Sequence, residues 1–409
     1  MTSLRLALGN AALLTLMLGH FTNDMLGGVL TLLLPTMKER FELSNAAVGL
    51  VPLAYTGMAS LTQPLFGFVS DRYGRRWFAS AALLWAASFV ALYGFAPSYP
   101  ALLLCAALAG VASGAYHPLG ASNASIVSED RYRNVAMSLY TVGGTSGYAL
   151  GPLVAVGLLT LFGVRGTAVL LVPAVAVAGL LLSQMRVVER VRRARQAAGA
   201  TAAATGRPAW GPLGRVMAVA MLRSWVFLSV IQFIPIWYDD LGFGRGFYGA
   251  LVTTIILAGA VGTLFGGALA DRLGQRRIVV VSLALAIPAL LVFAGFPGRY
   301  ALLTGALFGI ACDASLSVTL VMAQRLVPGR VGVTSGVILG LGFITGGIGV
   351  PITGRLADAI GIQAALMSLG VLAALGSLVA LTIPREAEIA ERPAAGPSGV
   401  APAGAAGRR

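Results

Sequence analysis

Continuous apolar runs separated by short polar breaks fill the chain from Asn10 to Ile383. The runs do not alternate with period two, as strands of a membrane β-barrel would. Each reaches the length of about 20 apolar residues that a helix needs to cross hydrocarbon. The pattern predicts twelve spanning helices, over residues 10–36, 46–70, 77–96, 98–122, 133–161, 165–184, 213–238, 246–270, 277–296, 300–324, 332–356 and 360–383. An even number places both termini on one side. The segment 185–212 reads as a flexible linker between residues 1–184 and 213–384, six spans each, and 385–409 as a disordered tail rich in Ala, Gly and Pro.

One polar break recurs. Gly67, Asp71, Arg72, Gly74 and Arg76 in the loop after the second span return as Gly267, Asp271, Arg272, Gly274 and Arg276, every pair 200 positions apart. The chain therefore reads as two copies of one six-helix unit: an all-α membrane protein with two pseudo-symmetric halves.

Composition agrees with lipid as the main solvent. Charged residues make up 11% of the chain, against about 25% in soluble domains. The mean hydropathy is +0.84. The net charge of +14 follows the positive-inside rule and not a nucleic-acid partner. Lys38, Arg40, Arg165, Arg245, Arg299 and Arg355 fall on one side of the predicted bundle. Arg223 falls within a span, and every other basic residue lies on the opposite side. That richer side is predicted to be cytoplasmic, with both termini and the linker. Cys105 and Cys312 both lie inside spans and read as small packing residues. No nucleophile–base pair, metal cluster or phosphate loop is evident, and no cofactor is implied. The chain is not read as an enzyme. A sensor or scaffold would need a large soluble domain, and none is present.

Polar residues inside spans are the candidate chemistry. His20, Asn23 and Asp24 in the first span are spaced i, i+3, i+4 and share a face. A charged Asp near mid-membrane costs about 2.5–3.5 kcal/mol on insertion scales. It is expected to face a cavity, as a proton carrier, or a permanent partner across the bundle. Tyr116, His117 and Pro118 stand in the fourth span, where the proline is expected to unwind the helix. Asp313 stands alone in the tenth span. Gln63 and Gln232 are further candidates for the cavity lining, and Asp239 and Asp240 read as solvated. In the fifth span, Gly143, Gly147, Gly151 and Pro152 favour close packing and a bend, echoed by Gly342, Gly346 and Pro351. Asp71 and Asp271 sit at helix C-termini, which disfavour negative charge. Each needs an outside partner, as an ionic lock would supply.

The repeated loop, its symmetry and the twelve spans resemble the major facilitator superfamily of transporters. The resemblance implies two halves rocking about a central cavity. It also implies that Asp71 meets the start of the eleventh span near Gly332–Thr334 and stabilises an outward-open state. The fifth span is similar to the antiporter signature of that superfamily, with Leu153 and Val154 where a pair of glycines usually follows the proline. His20 to Asp24, Tyr116 to Pro118, Val142 to Pro152 and Leu326 to Gly332 resemble the fosmidomycin resistance proteins. In those proteins an acidic residue and then an arginine usually follow His-Pro, where this chain has Leu119, Ser122 and Asn123. This narrower resemblance implies a monomeric carrier of the bacterial inner membrane that exchanges a small organic compound or drug for protons. The alternative is proton-coupled uptake of a small metabolite.

Overall fold

The computed structural model describes residues 3–73, 77–129, 133–197, 209–327 and 331–384. They are almost wholly helical, with no strand among them. After a short α1 (Ser3–Leu8) come α2 (Ala11–Arg40), α3 (Asn45–Tyr73), α4 (Phe78–Ala91, extended by a 3-10 turn Leu92–Phe95), α5 (Tyr99–Val127), α6 (Arg133–Phe162) and α7 (Leu171–Ala197, preceded by a 3-10 segment Val164–Leu170). The second half comprises α8 (Trp210–Asp240), α9 (Arg245–Leu273), α10 (Gln275–Gly295), α11 (Ala301–Asp313), α12 (Leu316–Leu326), α13 (Val331–Ile360) and α14 (Ile362–Leu381). The twelve predicted spans map onto α2 to α14 in order, with α11 and α12 together forming the tenth.

Local chemistry sets the ends. The Asn10 side chain accepts the Leu13 N–H at 3.1 Å and Ser44 the Ala47 N–H at 3.1 Å, closing the first turns of α2 and α3. Gly274 (φ +91°) and Gly361 (φ +85°) turn the chain between adjacent helices with backbone angles that side-chain-bearing residues rarely adopt. Nine stretches of the described residues are long and apolar enough to cross a membrane. The other three long helices, α2, α3 and α13, have 30, 29 and 30 residues, also more than the about 20 required. Leu161, Val172, Leu264 and Phe296 are 71–74% exposed, which suits side chains that face lipid.

Three expectations are corrected. Residues 185–197 do not form a flexible linker; they continue α7, with Met185 and Val188 buried on one face. Residues 198–208 and the tail 385–409 lie outside the described residues. Pro118 does not unwind the fourth span: α5 runs unbroken through it. A proline removes one donor, and without competing water the flanking bonds hold. The tenth span does break, at Ala314 and Ser315, immediately after Asp313. The Ser315 hydroxyl donates to the Cys312 carbonyl at 3.2 Å, and Thr263 of α9 donates to the Asp313 carbonyl at 3.0 Å. The break therefore occurs where a neighbour can satisfy the freed backbone.

The halves repeat each other's packing. α2 lies on α6 as α8 lies on α13, and α3 on α5 as α9 on α11. The halves meet through α3–α13 and α6–α9, contacts that exchange when one half is swapped for the other. Glycines allow this closeness. A Cβ at Gly147 would fall on the Phe21 backbone of α2, and one at Gly110 on the Tyr55 carbonyl of α3.

At the end of the bundle that arginine counting places outside, the halves are tied together. Both carboxylate oxygens of Asp358, near the end of α13, accept N–H groups from the first turn of α3: Asn45 at 2.8 Å and Ala46 at 3.0 Å. A Cβ at Gly49 would lie 3.0 Å from Pro351. Lys38 and Asp240 stand 3.7 Å apart, and Tyr248 donates to Asp239 at 3.2 Å, so Asp239 and Asp240 are engaged and not merely solvated.

Candidate functional site: a buried imidazole–carboxylate cluster

The i, i+3, i+4 spacing in α2 aims His20, Asn23 and Asp24 at the angle between α5 and α6. His20 Nδ1 lies 2.8 Å from the Tyr140 carbonyl of α6. A carbonyl only accepts, so Nδ1 donates and carries its hydrogen. The other ring nitrogen, Nε2, lies 3.2 Å from Asp24 Oδ2. Asp24 Oδ1 accepts from Asn23 Nδ2 at 2.9 Å and has His117 Nε2 of α5 at 3.5 Å. Asn23 Nδ2 also donates to Ser113 Oγ at 3.1 Å, and Ser113 lies 3.4 Å from His117 Nε2.

Aromatic rings and glycines shape the space around these groups. The Tyr140 ring stacks on the His20 ring with centroids 4.2 Å apart, and the His117 ring meets His20 edge-on at 5.2 Å. Tyr116 is fully buried, and its hydroxyl lies against Gly19. A Cβ at Gly144 of α6 would stand 2.5 Å from His20 Nε2 and 2.6 Å from Asp24 Oδ2. The side-chain exposures are 11% for His20, 19% for Asp24 and 32% for His117, so His117 forms the accessible edge.

The acid–base atoms of the three residues all lie within 4.8 Å of one another. That spacing would also suit a metal ion. The same atoms already serve the hydrogen bonds of the cluster, however, so a proton fits there without displacing any of them. The arrangement can bind, hold and pass a proton between two imidazoles and one carboxylate.

The other predicted residues are placed elsewhere. Asp313 does not stand alone. Arg223 of α8 donates to it at 2.5 Å, with side-chain exposures of 7% and 9%. Arg223 also donates to Ser224 Oγ at 3.1 Å. Arg223 and Asp313 are 200 positions from Asn23 and Ser113, so this ion pair is the second-half counterpart of the Asn23–Ser113 hydrogen bond. The repeat offset maps the two pairs onto each other, but only the packed structure shows that either pair meets. Neither Gln63, half-buried on α3, nor Gln232, buried on α8, hydrogen-bonds to the cluster among the described residues. Gly143, Gly147 and Gly151 all lie against α2, at Met17, Phe21 and Met25–Gly28 respectively, and Pro152 continues α6. Ser113, Tyr140 and Gly144 were not singled out from sequence; only the approach of α5 and α6 reveals them.

In the repeated loop, Asp71 and Arg72 fall in the last turn of α3, and Asp271 and Arg272 in the last turn of α9. Gly67 faces Pro118, Gly267 faces Ser317 of α12, and Gly274 caps α9. Arg272 is exposed and Arg276 half-buried. Gly74 and Arg76 lie outside the described residues.

The sequence profile of the Major Facilitator Superfamily matches this chain twice, over residues 16–250 and 217–408. The chain belongs to the major facilitator superfamily. It is 30% identical over 390 residues to the uncharacterized MFS-type transporter YfnC of Bacillus subtilis (strain 168), covering 91% of this chain and 92% of that protein. It is 29% identical over 374 residues to the fosmidomycin resistance protein of Escherichia coli (strain K12), covering 88% and 90%. Among solved structures, a bacterial homologue of the human lysosomal transporter Spinster, inward-facing and unoccupied, superimposes with a TM-score of 0.76 at 18% identity, over 91% of this chain and 96% of that one. This major facilitator chain is thus a multi-pass secondary transporter and not an enzyme.

Proposed function

We propose that the chain exports a small organic compound in exchange for protons, by alternating access between its two halves. The observation that carries this reading is the His20–Asp24–His117 cluster, two imidazoles and a carboxylate brought together from two spanning helices, where an idle charge would be costly. Likeness to a fosmidomycin resistance protein supports export. Asn23 and Tyr116 line the same site. Asp313 has its charge met by Arg223, so proton duty falls to Asp24. Asp71 and Asp271, with Arg72, Arg272 and the flanking glycines, serve as locks on the cytoplasmic side. Both termini lie there, and a monomer in the inner membrane suffices for transport.

The test is flux in proteoliposomes with an imposed pH gradient, with labelled fosmidomycin as the first compound tried. Asp24→Asn is expected to abolish pH-driven flux. Equal flux in wild type and variant would end the proposal. Uptake symport uses the same cluster. It would show as accumulation on the side to which protons flow, where exchange would show depletion.

A further inference from the structure

The hydrogen bonds of His20 leave a proton to be accounted for. Nδ1 donates to a carbonyl and so keeps its hydrogen. In a neutral imidazole, Nε2 would then be a bare lone pair. That lone pair would face a carboxylate oxygen at 3.2 Å, two acceptors with nothing between them. Such a contact is repulsive unless a proton occupies it. Asn23 donates to the other oxygen of Asp24 at 2.9 Å, a charge-assisted bond that favours the ionised carboxylate. The Tyr140 ring, stacked on His20 at 4.2 Å, favours a cationic imidazole.

We infer that the described conformation is the proton-loaded one, with the proton on His20 Nε2 facing Asp24 Oδ2, and that Gly144 is the positioning residue that admits this bond. The inference rests on reading the cluster as the coupling site, and it adds where the proton sits and what makes room for it. Any side chain at position 144 would intrude on both partners at once: its Cβ would lie 2.5 Å from His20 Cε1 and Nε2 and 2.6 Å from Asp24 Oδ2. The intrusion comes from the α6 backbone, which is itself pinned to α2 through Gly143, Gly147 and Gly151, so the helix cannot simply shift.

The surroundings are consistent with an overall neutral pair. From α5 come His117, Tyr116 and Ser113; from α6, Tyr140 and Tyr148; from α3, Tyr55. α7 faces this part of α2 with Leu181 beside Gly19. The charged groups of α8 are met elsewhere, Arg215 by the Thr382 carbonyl, Arg223 by Asp313, Asp239 by Tyr248 and Asp240 by Lys38. Asp24 is thus the one carboxylate facing His20 among the described residues, and His117 is the group through which the proton leaves. It lies 3.5 Å from Asp24 Oδ1 and is the most exposed of the three.

The chain has only two histidines, which makes a direct test simple. Nitrogen-15 NMR on histidine-labelled protein in lipid bilayers resolves both rings, and a His117→Gln sample assigns them. At neutral pH, His20 is expected to carry hydrogen on both nitrogens, and Gly144→Ala to convert it to a neutral ring. A His20 that is neutral in the wild type, or unchanged in a folded Gly144→Ala variant, overturns the inference. If Gly144→Ala does not fold, the wild-type spectrum decides alone. In vesicles the variant is expected to lose at least about tenfold in pH-driven flux, as removal of a hydrogen bond to a charged group would give. Wild-type flux in Asp24→Asn would instead overturn the functional reading and leave the spectrum of His20 as it stands.

Discussion

Replacing Asp313 by Asn tests the second-half ion pair most sharply. The substitution keeps shape and removes charge. Arg223, with its side chain 7% exposed, then retains its charge with no carboxylate against it among the described residues, since Ser224 and Cys312 beside it are neutral. Breaking a buried pair from one side costs about 3–5 kcal/mol, because the remaining charge is left unmatched. At about 2–4 °C per kcal/mol for a large domain, the melting temperature should fall by about 10 °C. Changing both partners, Arg223→Met with Asp313→Leu, removes the unmatched charge and should recover most of that loss, since apolar replacements of buried pairs are often neutral. Thermal unfolding in detergent, followed by intrinsic fluorescence, measures all the variants. The reasoning is refuted if Asp313→Asn melts like the wild type, or if the double variant is no more stable than the single one.

Other outcomes follow from the same contacts. Asp358→Ala removes the acceptor for two N–H groups of α3, a loss of about 1–2 kcal/mol. It should raise the population open at that end about 5- to 30-fold, read as a longer distance between spin labels at Glu39 and Arg245; an unchanged distance distribution would show that Asp358 does not hold the halves. Tyr140→Phe should be neutral or slightly stabilising in melting experiments. The Tyr140 hydroxyl is buried without a partner among the described residues, and the ring and carbonyl that hold His20 are kept. A large loss of stability would mean that the hydroxyl has a partner after all.

Much of the architecture could be read from the chain alone. Hydrocarbon leaves a backbone few choices, so a run of about 20 apolar residues must be a helix. The recurrence of the Asp71 loop at Asp271 announces the duplication, and the i, i+4 spacing already placed His20 beside Asp24. Where helices pass the lipid boundary was less legible. α7 runs on to Ala197 because Met185 and Val188 still find apolar neighbours, although the surrounding arginines mark the end of the span.

Partnership across helices was not legible. Asp24 and Asp313 are each a carboxylate within an apolar run, and the sequence shows for neither what it meets on other helices. The first meets two imidazoles and an amide, and the second an arginine. The difference depends on which faces of α5, α6 and α8 arrive beside them, and that is fixed by side-chain volume across helix contacts, where a missing Cβ at Gly144 or Gly259 decides what fits. Periodicity within one helix determines which residues share a face. Only the packing of several helices determines what that face meets, because those contacts join positions about 90 to 120 residues apart in the chain, too far for any local pattern to encode.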